Sequence, residues 1–230
     1  MKDYSQFGEF TQFLKPIFTF YGVRYGVLVD IGASGRDLSN SYNLIAEHGF
    51  QAILVEPVNF SRVEREIQSD FPALVAVDKS AVGQTEGTAK MFLHTVPEHH
   101  SLVSTWYPPT DGHKTQDVPT VRIGTLLKKW DLPWDFDYLT IDVEGLDIDL
   151  VQDMIDNTTY RPRVLLFEHL YATPQQVQTI KMNLHAAGYS IIFENNANIG
   201  LVLDEIQQAK PLSNTSRAYG NTFWTKHRIR

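Results

Sequence analysis

Runs of consecutive apolar residues alternate along this chain with longer stretches in which apolar residues recur every three or four positions. Short continuous runs are typical of strands buried on both faces, and the wider spacing is typical of helices that bury one face. The predicted strands are Val27–Ile31, Ala52–Glu56, Leu74–Val77, Tyr138–Asp142, Val164–Glu168, Ser190–Glu194 and Leu201–Leu203. The predicted helices are Asp37–His48, Phe60–Asp70, Thr125–Trp130, Asp147–Ile155 and Pro174–Ala187.

Alternating β and α segments of this length predict an α/β fold with a mostly parallel, doubly wound sheet of the Rossmann-like kind and helices on both faces. The loops that follow parallel strands meet at one edge of such a sheet, where ligands bind. No repeat, low-complexity tract or linker interrupts the 230 residues of the sequence. We therefore expect a single domain over residues 1–230, with residues 1–26 as an N-terminal helical or lid segment.

Composition leaves this picture unchanged but excludes several kinds of site. The chain is 43% hydrophobic and 20% charged, as globular proteins are, and its net charge of −7 disfavours non-specific nucleic-acid binding. It has no cysteine, which excludes thiol catalysis, zinc–thiolate sites, iron–sulfur clusters and disulfides. The sequence shows neither a signal peptide nor an apolar run near the ~20 residues of a membrane span. A cytoplasmic protein without a membrane span is expected.

Residues 95–119 break the alternation of strands and helices. They are rich in Pro, His, Ser and Thr, lack a clear periodicity, and include Trp106, Tyr107 and His113. Loops longer than about 12–15 residues in a compact domain are usually functional or disordered. We expect a long loop that covers a substrate pocket as a lid, with a plain linker as the alternative.

The stretch "VLVDIGASGRDLSNS", residues 27–41, ends a buried strand on Asp30 and turns through Gly32 and Gly35 into a predicted helix. Glycines permit a close backbone approach, and a helix N-terminus offers unpaired N–H groups, so this turn is typical of nucleotide binding. Glu56 ends the second strand, 24 residues after Gly32, where an acid can accept hydrogen bonds from ribose hydroxyls. The dinucleotide fingerprint G-x-G-x-x-G is not met, because position 34 is Ser. A glycine turn needed only for packing remains the alternative.

An ordered set of motifs resembles one known family. "VDIGASGRDLSNS", "LVEP", "DKSAVG", "LTIDVEGLDIDLV", "VLLFEH" and "AAGY" occur in the order and spacing of the FkbM-type methyltransferases, and "YSQFGEF" resembles the N-terminal motif of one branch of that family. The resemblance covers residues 4 to 204. It implies a seven-stranded sheet of the class I methyltransferase type and S-adenosylmethionine as the cofactor.

The resemblance also implies roles for single residues. In such a methyltransferase the glycine turn holds the methionine side of the cofactor, the acid after the second strand holds the ribose, and the residues after the third strand meet the adenine. The cofactor-binding residues that it implies here are Asp30, Gly32, Ala33, Ser34, Gly35, Glu56, Pro57, Asp78, Ser80, Ala81 and Asp142. Many family members methylate hydroxyls, so a sugar, a glycan or another small molecule is the expected acceptor.

Acidic residues are concentrated after the fourth and fifth predicted strands. "IDVEGLDIDL" contains four acids, of which Asp147 and Asp149 open a helix that acids at its N-terminus stabilise. Asp142, Glu168 and His169 lie at neighbouring strand ends and are the predicted catalytic residues. His169 or Asp142 is a candidate base for the acceptor hydroxyl. Alternatively, the three side chains bind a divalent metal ion such as Mg²⁺ or Mn²⁺, or orient sugar hydroxyls.

Two other functions share parts of this pattern. An NAD-dependent oxidoreductase uses the same strand, glycine turn and ribose acid, but the missing G-x-G-x-x-G fingerprint and the absence of a Y-x-x-x-K pair disfavour it. A non-catalytic module that keeps the cofactor-binding fold is the third hypothesis.

Overall fold

The computed structural model describes residues 2–103 and 114–207. Its strands, in chain order, are β1 (Val27–Ile31), β2 (Gln51–Val55), β3 (Val75–Asp78), β4 (Ala81–Val82), β5 (Gly87–Phe92), β6 (Thr115–Val121), β7 (Tyr138–Ile141), β8 (Val164–Glu168), β9 (Tyr189–Glu194) and β10 (Asn198–Leu203). Its α-helices are α1 (Lys15–Phe20), α2 (Tyr42–His48), α3 (Phe60–Val63), α4 (Ile123–Lys129), α5 (Asp147–Asn157), α6 (Pro174–Ala186) and α7 (Asp204–Gln207). A π-helical turn, Phe10–Leu14, precedes α1, a second, Glu64–Gln68, continues α3, and a short 3₁₀ helix covers Pro97–His99.

Seven strands form one sheet in the order β3-β2-β1-β7-β8-β10-β9. The first five of these pair in parallel, while β10 is antiparallel to both of its neighbours. The expected class I methyltransferase type of sheet is therefore confirmed. The edge at which the parallel strands end carries the loops after β1, β2, β7 and β8.

Apolar side chains cover the sheet on both faces, as the continuous apolar runs predict. In β1, Val27, Val29 and Ile31 pack in a cluster that includes residues of α4, α5 and α6, whereas Leu28 packs in a second cluster with residues of the N-terminal helix and α2. All five residues of β1 are buried. A strand buried on both faces at the centre of the sheet gives the loop that follows it a rigid base.

The predicted N-terminal segment is helical over Phe10–Leu14 and α1, and it packs against the sheet. Phe13 is buried and lies over β10, where a Cβ placed on Gly200 would come within 2.6 Å of the Phe13 ring. Glycine at position 200 thus allows the helix to approach the strand closely. The packing explains why Phe13 and Leu14 are buried.

Several predicted boundaries differ from the structure, and two of them are wrong by five residues. Residues 115–119 belong to β6 and not to a loop, because Thr115–Val121 pairs with β5 in a separate three-stranded sheet of order β4-β6-β5. Helix α2 begins at Tyr42 and not at Asp37, because Leu38 has a left-handed backbone (φ 71°) that interrupts a helix. The Ser39 hydroxyl then accepts the backbone N–H of Tyr42 at 3.0 Å.

Candidate functional site

The turn after β1 lies tightly against the loop after β7. Gly32 has a φ of +89°, and a Cβ at this position would be 1.6 Å from the carbonyl oxygen of Asp142, so only glycine fits there. The backbone N–H groups of Gly32 and Ala33 both donate to the carbonyl of Val55 at 3.0 Å. The ends of β1, β2 and β7 are thereby fixed around one point.

A cleft of about 650 Å³, counting its open mouth, begins at this turn. The structure brings eight of the predicted cofactor-binding residues together in its lining: Gly32, Ala33, Ser34, Gly35, Glu56, Pro57, Ala81 and Asp142. The hydroxyl of Ser34 is buried there without a hydrogen-bond partner among the described residues. A buried hydroxyl without a partner costs free energy, which a polar ligand in the cleft would recover.

Glu56 faces the cleft from the end of β2 and is held in place by its own loop. One carboxylate oxygen accepts the backbone N–H groups of Val58 at 2.7 Å and Asn59 at 2.5 Å. Burial raises the pKa of Glu56, and the two backbone hydrogen bonds counteract part of that rise. The orientation of the carboxylate is therefore fixed before any ligand binds.

Asp78 and Ser80 lie outside the lining of this cleft. The Asp78 carboxylate accepts hydrogen bonds from Lys129 Nζ at 2.7 Å and Trp130 Nε1 at 2.8 Å, and it also bonds the backbone N–H of Ser80 at 3.1 Å. These contacts join β3 to the end of α4. A role of Asp78 and Ser80 at an adenine ring stays a prediction.

Asp30 lies beneath the turn, beside a second cavity of about 620 Å³ that shares Gly32, Ser34 and Asp142 with the first. Its carboxylate accepts the Ser41 hydroxyl at 2.5 Å. Burial raises the pKa of Asp30 to about 6, although the hydrogen bond from Ser41 lowers it.

Three carboxylates, including that of Asp142, form a cluster at the edge of the sheet where β7 and β8 end. One oxygen each of Asp142, Asp147 and Glu168 lies within 4.8 Å of the other two. Asp147 accepts the backbone N–H groups of Val143 at 2.7 Å and Gly145 at 3.0 Å. Glu168 is only 5% exposed, and its Oε2 has no hydrogen-bond partner among the described residues.

Burial raises the pKa of every member of this cluster, and the charges of nearby carboxylates raise it further. Burial is the main cause for Glu168, whose pKa rises to about 10, and the charges of Asp142 and Asp147 add to it. The pKa of Asp142 is raised well above its usual range by burial and then by Asp147. The pKa of Asp147 rises only to about 6, because its two backbone hydrogen bonds favour the charged form.

His169 follows Glu168 in the sequence, but its side chain is not part of the carboxylate cluster. Its Nε2 lies 3.1 Å from the carbonyl oxygen of Asn195. A carbonyl can only accept, so Nε2 carries the proton and Nδ1 of the neutral ring keeps its lone pair. The structure thus joins Asp142 and Glu168 to Asp147, where the sequence predicted His169, because the imidazole ring binds the β9–β10 turn.

The first part of the predicted lid lines the cleft. Glu98 and His100 contribute to the wall of the first cavity, and Glu98 forms an ion pair with Arg62. The Ser101 hydroxyl donates to the carbonyl of Glu144 at 2.7 Å. Trp106, Tyr107 and His113 lie outside the described residues, and the function of the loop as a lid stays a prediction.

Comparison with known proteins identifies the family. Residues 30–191 match the family model described as the methyltransferase FkbM domain, a match over more than half of the chain. The chain belongs to the FkbM methyltransferase family. The resemblance inferred from the sequence motifs is confirmed. No curated protein matches the chain.

Several solved methyltransferase structures are similar to this FkbM chain. An O-methyltransferase from Bacillus cereus in complex with SAH is 12% identical, with a TM-score of 0.47 over 87% of this chain and 84% of that one. A precorrin-6y C5,15-methyltransferase from Geobacter metallireducens is 13% identical, with a TM-score of 0.44 over 81% and 84%. The METTL16 methyltransferase domain is 12% identical, with a TM-score of 0.48; the match covers 83% of this chain but 65% of that one, less than two thirds of its length.

The sequence motifs do not reveal all of the buried acids of this chain. Glu9 is fully buried and accepts side-chain N–H groups of Asn195 at 3.2 Å and Asn198 at 2.8 Å. Its place in "YSQFGEF" gives no signal of a contact almost two hundred residues away. Asp147 carries a helix-opening signal that does not show which way its carboxylate points.

No helix in the described ranges, 2–103 and 114–207, combines the length and apolarity that crossing a membrane requires.

Proposed function

We propose that this FkbM methyltransferase transfers the methyl group of S-adenosylmethionine to a hydroxyl oxygen of a sugar, a glycan or another small metabolite. One observation carries the proposal: Asp142 borders the cleft at the glycine turn and belongs at the same time to the carboxylate cluster. A methyl donor in the cleft would therefore have its reactive end beside the acids.

The cleft supports the cofactor part of the proposal. Its walls offer backbone close to the ligand at Gly32, a fixed carboxylate at Glu56 and the unpartnered hydroxyl of Ser34. Glu56 can accept hydrogen bonds from ribose hydroxyls. When bound, S-adenosylmethionine supplies a methyl group on a positively charged sulfur, a good leaving group.

The edge beyond Asp142 supports a hydroxylated acceptor. A third cavity, of about 320 Å³, is lined by Asp147, Glu168, His169, Tyr171 and Gln176 among others. These side chains donate and accept hydrogen bonds, as recognition of several hydroxyls requires. The acid-rich wall and the net charge of −7 favour a small acceptor over a nucleic acid.

Methyl transfer to oxygen needs alignment and a proton acceptor. The acceptor oxygen forms the new O–C bond, the electron pair of the C–S bond returns to sulfur, and the hydroxyl proton leaves to a base. Nδ1 of His169 and the Asp142 carboxylate are the two candidate bases. The raised pKa of Glu168, about 10, keeps its carboxyl protonated at neutral pH in the absence of a cation, so Glu168 would donate rather than accept a hydrogen bond.

The test is a screen of sugar and glycan acceptors with S-adenosylmethionine, read as a mass increase of one methyl group. Asp142→Asn, Glu168→Gln and His169→Ala are then assayed on the acceptor that reacts. We expect at least one variant to lose most of the turnover while it still binds S-adenosylhomocysteine. Full activity in all three variants would place the catalytic edge elsewhere.

A further inference from the structure

The three carboxylates of the cluster differ in how their charge is compensated. Asp147 accepts two backbone N–H groups, whereas Oε2 of the nearly buried Glu168 has no partner among the described residues. Among the residues that the structure describes, the charged side chains that act on Glu168 are acids: Asp142, Asp147 and Glu144. A buried carboxylate with neither a donor nor a positive neighbour is costly.

The geometry of the cluster fits a bound cation. One oxygen from each carboxylate lies within 4.8 Å of the others, and the unpartnered Glu168 belongs to this set. Oxygen ligands about 2.1–2.5 Å from an ion can lie up to roughly 4–5 Å from one another. Carboxylate oxygens without sulfur or imidazole are the ligands that hard divalent cations prefer.

We propose that Asp142, Asp147 and Glu168 bind one divalent metal ion of the hard, oxygen-preferring class, such as Mg²⁺, Mn²⁺ or Ca²⁺. The ligands come from the end of β7, the start of α5 and the end of β8, three elements fixed by the core. Asp147 is oriented for this by the N–H groups of Val143 and Gly145, which leave lone pairs on both of its oxygens.

The proposed ion would act on the acceptor. Because Asp142 also borders the cleft, the ion would lie between the methyl donor and the third cavity. An acceptor hydroxyl bound to the ion would lose its proton more readily, and that proton would pass to Nδ1 of His169 or to solvent. This catalytic role rests on the proposed function, but the binding of the metal does not.

The test measures metal binding without turnover. The full chain, stripped of metal with EDTA and dialysed, is titrated with Mn²⁺ in a calorimeter, and the titration is repeated with Mg²⁺ and with Ca²⁺. We expect one site per chain for at least one of the three ions. Glu168→Gln should weaken its binding by more than the roughly 10–100-fold that loss of a supporting contact costs.

A matched control removes a carboxylate from the same helix outside the cluster. Asp156 is exposed near the end of α5 and accepts a hydrogen bond from the Gln152 side chain at 2.7 Å. Asp156→Asn should bind the ion as the unchanged protein does. Thermal unfolding in EDTA checks folding, and Glu168→Gln should unfold at no lower temperature, because Oε2 of Glu168 has no hydrogen bond to lose among the described residues and glutamine has nearly the same shape.

Two results would overturn the proposal: no heat of binding for any of the three ions at millimolar concentration, or equal affinity in the unchanged protein and Glu168→Gln. Binding of S-adenosylhomocysteine by the metal-free protein is measured in parallel. If that binding is present while metal binding is absent, the metal site fails and the proposed methyltransferase function stands.

Discussion

The Glu56 side chain stabilises its own loop and also faces the cleft. Its carboxylate orders the loop after β2 through the N–H groups of Val58 and Asn59, and it also lines the cleft. An alanine at this position would remove both interactions. A glutamine would keep an oxygen for the two backbone groups and remove only the charge.

We predict that Glu56→Ala weakens the binding of S-adenosylhomocysteine by about 1.5–3 kcal/mol, because a charged acceptor for two ribose hydroxyls is lost. Calorimetric titration measures the change. Glu56→Gln, the matched control, should retain the loop and lose a smaller part of the affinity. An unchanged dissociation constant in Glu56→Ala would remove this residue from the site.

The buried acids predict how stability depends on pH. Burial raises the folded-state pKa of Asp30 and Asp147 to about 6 and that of Glu168 to about 10, above their values in the unfolded chain. The folded state therefore binds more protons than the unfolded state over this range. Its stability is highest below about pH 4 to 5 with respect to these groups and falls as pH rises through the folded pKa values.

We predict that, in EDTA, the unfolding free energy falls between pH 5 and pH 9, by up to ~1.4 kcal/mol per pH unit for each proton involved. Glu168→Gln should make the slope shallower across the whole range from about pH 5 to pH 9, and the slope that remains below pH 6 should include the contribution of Asp30 and Asp147. Denaturant unfolding at a series of pH values measures both. A flat profile, or the same slope above pH 7 in both proteins, would contradict the account.

At the scale of elements, the central strands could be predicted because they are buried on both faces. β1 and β8 have the bounds that the sequence predicts, since Val27–Ile31 and Val164–Glu168 are apolar runs that each contain a single acid, at the fourth position of β1 and the last position of β8. The strand β5 was missed because most of Gly87–Phe92 is exposed or only half buried, so no apolar run marks it. Whether a strand could be predicted from the sequence therefore depended on how completely it is buried.

The candidate site could be predicted at strand ends but not in its turns. The cleft residues after β1 and β2 follow directly from the strand positions. The orientation of Asp147 depends on the left-handed backbone of Glu144 and Gly145 (φ 59° and 110°), which no sequence periodicity reveals. The same turn brings Asp147 to Asp142 and Glu168, whereas the His169 ring binds the β9–β10 turn.

Residues 95–103, the described first part of the predicted lid, contact the rest of the protein around the cleft through side chains. Glu98 pairs with Arg62, and Ser101 bonds the backbone of Glu144. We predict that residues 95–103 gain protection from hydrogen exchange when S-adenosylhomocysteine binds, because the ligand would lie against Glu98 and His100. Mass spectrometry of peptides from this segment measures it, with a β8 peptide as the internal reference.

If residues 95–103 are as strongly protected in the free protein as in the complex, the segment is a packed part of the fold. The prediction of a lid would then be wrong, although the cleft would remain.

Across the whole molecule, residues that are far apart along the chain meet beside His169. Glu9, in the N-terminal segment, binds Asn195 and Asn198, and the carbonyl of Asn195 accepts the proton of His169 Nε2. The N-terminal helix, the β9–β10 turn and the end of β8 therefore form one connected support. The carboxylate cluster and the cleft lie on the same edge of the sheet and share Asp142.

The assignment of the cleft to S-adenosylmethionine is tested by comparing its affinity for two ligands. The unchanged protein is titrated with S-adenosylhomocysteine and, separately, with NAD, by calorimetry and by thermal unfolding. We predict that S-adenosylhomocysteine binds at one site per chain and adds ~2.7 kcal/mol of stability at 100 times its dissociation constant, while NAD adds none. Stabilisation by NAD without S-adenosylhomocysteine binding, or binding of neither ligand, would contradict the assignment of the cleft to S-adenosylmethionine.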